Sequence, residues 1–153
     1  VTGVRRGFDK EDFARNHPGG ELGKQLALKV ENIMHPINDV AQINNKDSIS
    51  SCAKKMTDNP LGAALLLENG SLKGIVTEGD LRKSIASNLD LSNSIEPFIN
   101  DNPISIHSSV SILDAMKIME DRSSKISCLP VVDSDGKCLG LLTIHDLYQT
   151  KLV

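Results

Sequence analysis

The sequence predicts a mixed α/β (α+β) fold made of two similar units, each with the element order β-α-β-β-α. The main observation is a short motif that occurs at residues 74–81 and again at residues 140–147. Six of its eight positions are identical or aliphatic in both copies. An amphipathic helix pattern and a strand-turn-strand pattern precede each copy, so the repeat extends well beyond the motif.

The helix of each unit is predicted from apolar residues spaced at i, i+3, i+4 and i+7, which line one face of an α-helix. Each helix should therefore bury one stripe against a sheet. The stripe consists of Ile49, Cys52, Ala53 and Met56 in the first unit and of Ile112, Ala115, Met116 and Met119 in the second.

Two strands and a turn are predicted between each helix and its motif, because short apolar runs flank clusters of Asn, Asp, Ser and Gly. A unit of roughly 55 residues buries too little apolar surface to be stable alone. The two units should therefore pack as a disc with pseudo-two-fold symmetry. The strands cover residues 63–67 and 72–76 in the first unit and 128–132 and 138–142 in the second, with shorter leading strands at 40–43 and 104–106.

The element order and the repeated Gly-aliphatic-aliphatic-Thr-x-x-Asp-Leu motif resemble the CBS family over about residues 33–152. This resemblance implies a Bateman module, a pair of CBS repeats that acts as a regulatory ligand-binding unit. We assign the first repeat to residues 31–90 and the second to residues 91–153.

The motif places a threonine, Thr77 or Thr143, at each predicted junction between strand and helix. The first N–H groups of a helix have no partner within it and attract anions, so both junctions could hold a phosphate. Asp80 and Asp146 follow on the first turn, where a carboxylate can accept hydrogen bonds from a ribose diol. In CBS pairs that bind nucleotides, matching residues hold phosphate and ribose, and aliphatic side chains of the leading strand contact the base. The resemblance gives this last role to Val40, Ile43, Ile104 and Ile106.

A purely structural interpretation of the motif is also open. Thr-x-x-Asp is a capping box, which stabilises a helix by about 1 kcal/mol without any ligand. The two copies also differ, because Glu78-Gly79 in the first is replaced by Ile144-His145 in the second. Glu78 should repel a phosphate near Thr77, whereas His145, Arg82, Lys83 or His107 could favour one. Because Glu78 burdens the first cleft, we expect the second to dominate.

The first thirty residues have no counterpart in the repeat. Their run Phe-Ala-Arg-Asn-His-Pro-Gly-Gly-Glu-Leu-Gly, at residues 13–23, resembles the end of the sugar isomerase (SIS) domain of the arabinose 5-phosphate isomerases. Those enzymes interconvert ribulose 5-phosphate and arabinose 5-phosphate on the route to Kdo, a sugar acid of lipopolysaccharide and capsules. The resemblance makes residues 1–30 an SIS tail and linker, with a linker helix over 21–30, and makes His17 an active-site residue of the parent enzyme. The fragment itself is expected to be catalytically silent, because the base and sugar-phosphate loop belong to the SIS domain.

The composition narrows the range of partners. A net charge of -3 and 3% aromatic residues provide neither the basic surface nor the stacking platforms that nucleic acids require. Cys52, Cys128 and Cys138 lack the spacing of a zinc site and indicate buried thiols in a reducing cytoplasm. No apolar run approaches the roughly 18 residues of a membrane span.

The sequence thus predicts a cytoplasmic regulatory module that senses a nucleotide or nucleotide sugar, such as CMP-Kdo or AMP. No cofactor is required and no metal, membrane or nucleic acid is expected as a partner. The module should form a homodimer by itself and a homotetramer in the parent isomerase. The alternative is a scaffold that joins isomerase subunits and binds no ligand.

Overall fold

The computed structural model describes residues 28–87, 90–120 and 126–150. His17 and the SIS-like run lie outside these residues, as does most of the predicted linker helix. The elements are α1 (Val30–Ile33), β1 (His35–Pro36), β2 (Ala41–Ile43), α2 (Ile49–Asp58), β3 (Ala63–Glu68), β4 (Ser71–Thr77), α3 (Glu78–Ala86), β5 (Ile106–His107), α4 (Ile112–Glu120), β6 (Cys128–Val132), β7 (Cys138–Thr143) and α5 (Ile144–Gln149), with single 3-10 turns at Ile37–Asp39 and Glu96–Phe98.

The strands form two sheets, one for each repeat. The first sheet has the order β2-β3-β4, and the second has the order β1-β7-β6-β5. In both repeats the leading strand, β2 or β5, runs parallel to the next strand, and the last two strands form an antiparallel hairpin. The predicted mixed α/β class and its two-fold repetition are confirmed.

Three of the four residues in each predicted helix stripe are buried, and the fourth, Ala53 or Met116, is half-buried. Ile49, Cys52 and Met56 of α2 belong to the core of the first repeat, and Ile112, Ala115 and Met119 of α4 belong to that of the second. The leading strand of the second repeat differs from its prediction, because pairing with β6 involves only residues 106–107.

Reciprocal hydrogen bonds between the hairpins join the repeats. The N–H of Leu72 donates to the carbonyl of Gly136 at 3.4 Å, and the N–H of Cys138 donates to that of Gly70 at 2.8 Å. Both glycines occupy the equivalent turn position and have φ near 85°, a conformation that glycine adopts without steric cost. The pseudo-two-fold axis therefore passes between the two turns.

Each repeat also receives the chain segment that leads into the other repeat. Strand β1 precedes the first repeat but pairs with β7 of the second, with His35 opposite Leu141. Asn100 precedes the second repeat but exchanges two backbone hydrogen bonds with Ile75 of β4, at 2.9 and 3.0 Å. The sheets are thereby interlocked, which explains physically why one repeat would be unstable without the other.

The predicted linker helix over residues 21–30 is wrong at its described end. Lys29 has an extended backbone (φ -109°, ψ 165°), and α1 begins rather than ends at Val30. The cause is tertiary, because the N–H of Val30 donates to the carbonyl of Val110 at 2.8 Å and Lys29 forms an antiparallel bridge with Ser111. None of the described helices is long and apolar enough to cross a membrane.

Candidate functional site

The two motifs lie at the heads of α3 and α5, and each forms a complete capping box. In the first repeat the N–H and the hydroxyl of Thr77 both donate to Oδ2 of Asp80 at 3.0 Å, and the N–H of Asp80 donates to the Thr77 hydroxyl at 3.3 Å. In the second repeat the N–H of Thr143 donates to Oδ2 of Asp146 at 3.0 Å, and the N–H of Asp146 returns a bond to Thr143 at 3.1 Å. The structural role considered from the sequence is therefore present in both copies.

The first N–H of each of these helices is also occupied. Glu78 donates to the carbonyl of Gly62 at 3.2 Å, and Ile144 donates to the carbonyl of Ser127 at 2.8 Å. Since the third N–H of each helix is bonded to the threonine, two of the donors expected to hold a phosphate already have protein partners. A phosphate at the N-terminus of α3 or α5 would have to displace these protein acceptors or bind to other donors.

The two motif carboxylates have different surroundings. Both hydrogen bonds to Asp80 reach Oδ2, whereas Asp146 also accepts a hydrogen bond at Oδ1 from Nε2 of His35 at 3.0 Å. The Asp146 side chain is 14% exposed and that of His35 is 35% exposed. An ionised carboxylate only accepts hydrogen bonds, so Nε2 of His35 is the donor to it in this pair.

Sequence reasoning missed His35. The residue is 111 positions from Asp146 in the chain and lies in a segment that has no motif of its own. Its histidine-proline pair indicates an extended chain, but nothing local indicates which carboxylate the imidazole meets.

The aliphatic residues predicted to contact a base occupy different environments. Val40 and Ile106 are both only 3% exposed because they belong to hydrophobic cores, and Ile43 is also buried. Ile104 is 39% exposed and is the member of this set that presents substantial surface.

The charged and polar residues near the motifs are mostly exposed. His145 contacts the side chain of Gln149 at 3.1 Å, one turn later on α5. Glu78 lies 3.9 Å from Arg82, and both side chains are well exposed, so solvent and Arg82 weaken the expected repulsion of a phosphate.

Cys128 lies between the two repeats. Its thiol donates to the carbonyl of Leu61 at 3.2 Å. Leu61 precedes Gly62, whose carbonyl accepts from the first N–H of α3. Burial raises the pKa of Cys128, and the carboxylates of Glu78 and Asp146 raise it further. All three cysteines are buried free thiols, as predicted.

Within residues 28–87, 90–120 and 126–150, no group of His, Cys, Asp and Glu could hold a metal ion.

This interlocked pair of sheets, with a capped helix at the end of each hairpin, defines a two-repeat module. The CBS domain family model matches residues 30–87 and 95–151, so the chain belongs to the CBS domain family. The earlier resemblance to that family is thereby confirmed.

The chain is homologous to the CBS region of arabinose 5-phosphate isomerases. It is 40% identical over 146 residues to the arabinose 5-phosphate isomerase KdsD of Pseudomonas aeruginosa, an alignment that covers 94% of this chain and 44% of that protein. It is 32% identical over 149 residues to the arabinose 5-phosphate isomerase GutQ of Salmonella typhi, covering 97% of this chain and 46% of that protein. The chain thus spans less than half the length of these relatives.

Solved structures of CBS pairs share the fold. CBSX2, a CBS-pair protein from Arabidopsis thaliana, was solved in complex with AMP and is 21% identical, with a TM-score of 0.67 over 81% of this chain and 96% of that chain. A CBS domain protein from Pyrobaculum aerophilum complexed with AMP is 22% identical, with a TM-score of 0.66 over 78% of this chain and 89% of that chain.

Proposed function

We propose that this chain is the regulatory CBS pair of a cytoplasmic arabinose 5-phosphate isomerase of Kdo biosynthesis and that it senses a nucleotide or nucleotide sugar, such as AMP or CMP-Kdo. The relatives named arabinose 5-phosphate isomerases support the identity proposed for the parent enzyme. The AMP complexes of two CBS proteins support an adenine nucleotide as one candidate ligand. CMP-Kdo is the other candidate ligand, because an activated end product of the same pathway could regulate the enzyme by feedback.

The observation that carries the proposal is Oδ1 of Asp80, an oxygen to which no residue in the described ranges donates a hydrogen bond. A carboxylate has about four acceptor positions, and the two bonds from Thr77 both go to Oδ2. Oδ1 is therefore available to a sugar hydroxyl at the head of α3. This favours the first cleft as the more accessible one, in contrast to the expectation based on the charge of Glu78.

A ligand-free scaffold is the second candidate function. The complete capping boxes favour it, because they explain both Thr-x-x-Asp motifs without any ligand. The interlocked sheets would then serve to present a rigid surface to a second isomerase subunit.

Thermal melting and calorimetric titration with AMP and with CMP-Kdo separate the two functions. A ligand at one hundred times its Kd should stabilise the fold by about 2.7 kcal/mol. Asp80→Ala should weaken binding at least about tenfold and lower the free energy of unfolding by about 1 kcal/mol as a lost cap. Asp58→Ala, an exposed carboxylate on α2, is the control and should change neither quantity.

The scaffold is the correct function if neither ligand shifts the melting temperature. If both Asp80→Ala and Asp146→Ala bind ligand with full wild-type affinity, the motifs are only capping boxes and the ligand site lies elsewhere.

We also propose that this chain does not catalyse isomerisation itself. Proton transfer through an enediol requires a base within hydrogen-bond reach of the carbon acid, and by resemblance that base and the sugar-phosphate loop belong to the SIS domain. An assay of the purified chain with ribulose 5-phosphate should give no turnover above a blank without protein, and measurable turnover would contradict this proposal.

A further inference from the structure

The segment that leads into the first repeat is docked on the second repeat. Val30 is fully buried in the second repeat's core. Its N–H donates to the carbonyl of Val110 at 2.8 Å, and the N–H of Ile112 donates to the carbonyl of Leu28 at 3.2 Å. Whatever precedes residue 28 is therefore connected first to the second repeat.

His35 fastens the end of this segment to the motif. Its backbone pairs with Leu141 in β7, and its imidazole donates to Oδ1 of Asp146. Since the N–H of Thr143 occupies Oδ2, both oxygens of this carboxylate have protein partners.

We infer that His35 is a gate on the second cleft, because its imidazole competes with a ligand hydroxyl for Oδ1 of Asp146. Displacement would loosen the segment at its His35 end, whereas Val30 would stay buried in the second core. Ligand occupancy would thereby alter the segment that leads into the first repeat. This inference rests on the proposed function, because it requires a ligand with vicinal hydroxyl groups. His35 acts here as a residue that controls access and affinity.

Burial and the contrast between the repeats support the gate. The Asp146 side chain is only 14% exposed and its Oδ1 is already bonded to the imidazole, so a ligand hydroxyl that binds Oδ1 competes with His35. In the first repeat the equivalent crossing segment places Asn100 beside β4, and the Asn100 side chain accepts from the N–H of Asn102 at 3.0 Å. Among the residues that the structure describes, the side chain of Asp80 accepts hydrogen bonds from Thr77 alone, and this part of the chain holds no equivalent of His35 at the first cleft.

The test uses the Asp80→Ala background, so that titration reports the second cleft, with AMP and CMP-Kdo as probes. Adding His35→Ala should tighten binding about tenfold, which corresponds to about 1.4 kcal/mol. Adding His35→Gln, which retains a side-chain N–H donor of similar reach, should restore the weaker affinity. Glu31→Ala, an exposed position on the same segment, is the matched control and should leave the affinity unchanged.

Amide hydrogen exchange of the unmodified chain provides a measurement that needs no variant. Saturation with the probe that binds should accelerate exchange within residues 30–35, most strongly at Met34 and His35. Tighter binding in His35→Ala, or binding seen only in that variant, supports the gate.

Unchanged or weaker binding in His35→Ala, or ligand-induced protection of residues 30–35, overturns the gate while the proposed function stands. If neither probe binds the wild-type chain or any variant, the proposed function and the gate both fall.

Discussion

Gly140 packs so closely on the backbone of His35 that a Cβ atom on Gly140 would collide with the His35 carbonyl oxygen. The equivalent glycine of the first repeat, Gly74, is in the same position, because an added Cβ atom would lie 2.6 Å from Cγ2 of Ile99. The glycine that begins each repeated motif thus makes room for the segment that crosses from the other repeat.

The Gly140→Ala substitution should destabilise the protein by about 3 kcal/mol, because the obstacle is backbone and the strand pair must shift. Gly74→Ala should also destabilise the protein, because Ile99 is β-branched and rotates little, and because the added Cβ atom would lie 3.2 Å from the Asn100 carbonyl oxygen. Urea denaturation of each variant measures the free energy of unfolding.

Gly79→Ala is the matched control for these glycine substitutions. Its added Cβ atom would lie 3.7 Å from the Thr77 hydroxyl, an ordinary contact, and alanine favours a helix by up to about 1 kcal/mol over glycine. Its stability should be unchanged or higher. A Gly140→Ala protein as stable as Gly79→Ala would contradict the proposed close crossing.

Because of Asp47, the stability of the first repeat should depend on pH in the acidic range. Burial alone raises the pKa of Asp47, but hydrogen bonds from Lys55 at 2.8 Å and from the N–H of Asn44 at 3.0 Å outweigh it and hold this pKa below its usual value. Its stabilisation is therefore present above the unfolded pKa of about 4 and is lost as pH falls through the lower folded pKa.

Asp47→Asn should lower the free energy of unfolding by about 1–2 kcal/mol at neutral pH and by less in acid. Denaturation at both pH values checks this. Asp58→Asn, which breaks an exposed pair with Lys54, should cost under about 0.5 kcal/mol. An Asp47→Asn deficit that is equally large in acid would exclude the carboxylate as its source.

The cysteines should be unreactive in the folded protein. Burial raises the pKa of Cys52 to about 11 and also raises the pKa values of Cys128 and Cys138, and the thiolate is the reactive form. A chromogenic disulfide reagent at about pH 8 should modify them slowly in the native state and all three rapidly after denaturation. One thiol that reacts rapidly in the native chain would indicate local opening around it.

The chain should self-associate through its helices. Ile85 of α3 and Leu113 of α4 are large apolar side chains with substantial exposure, and closed two-fold dimers are the commonest soluble assembly. Sedimentation should give twice the 16.6 kDa chain mass. The double variant Ile85→Lys with Leu113→Lys should shift the mass to one chain, whereas Leu91→Lys, an exposed position outside the helices, should not. A single-chain mass for the wild type at high micromolar concentration would exclude the dimer.

The sequence by itself determined the repeat, the helices α2 and α4, both hairpins and the caps. Apolar spacing indicated which faces of α2 and α4 are buried, and turn residues located both hairpins. The capping boxes join residues three positions apart, such as Thr77 and Asp80. All these signals are local, so they are present in the order of residues along the chain.

Only the tertiary structure decided how the repeats exchange segments and what each motif residue contacts. Strand β1 lies on β7 rather than in the repeat that it precedes, and Lys29 is extended where a helix was predicted. His35 reaches Asp146 from 111 positions away, and Val40 and Ile106 are in cores rather than open to a cleft. The physical reason is that pairing register and side-chain partners between distant segments are fixed by packing of the whole core, which no short-range periodicity encodes.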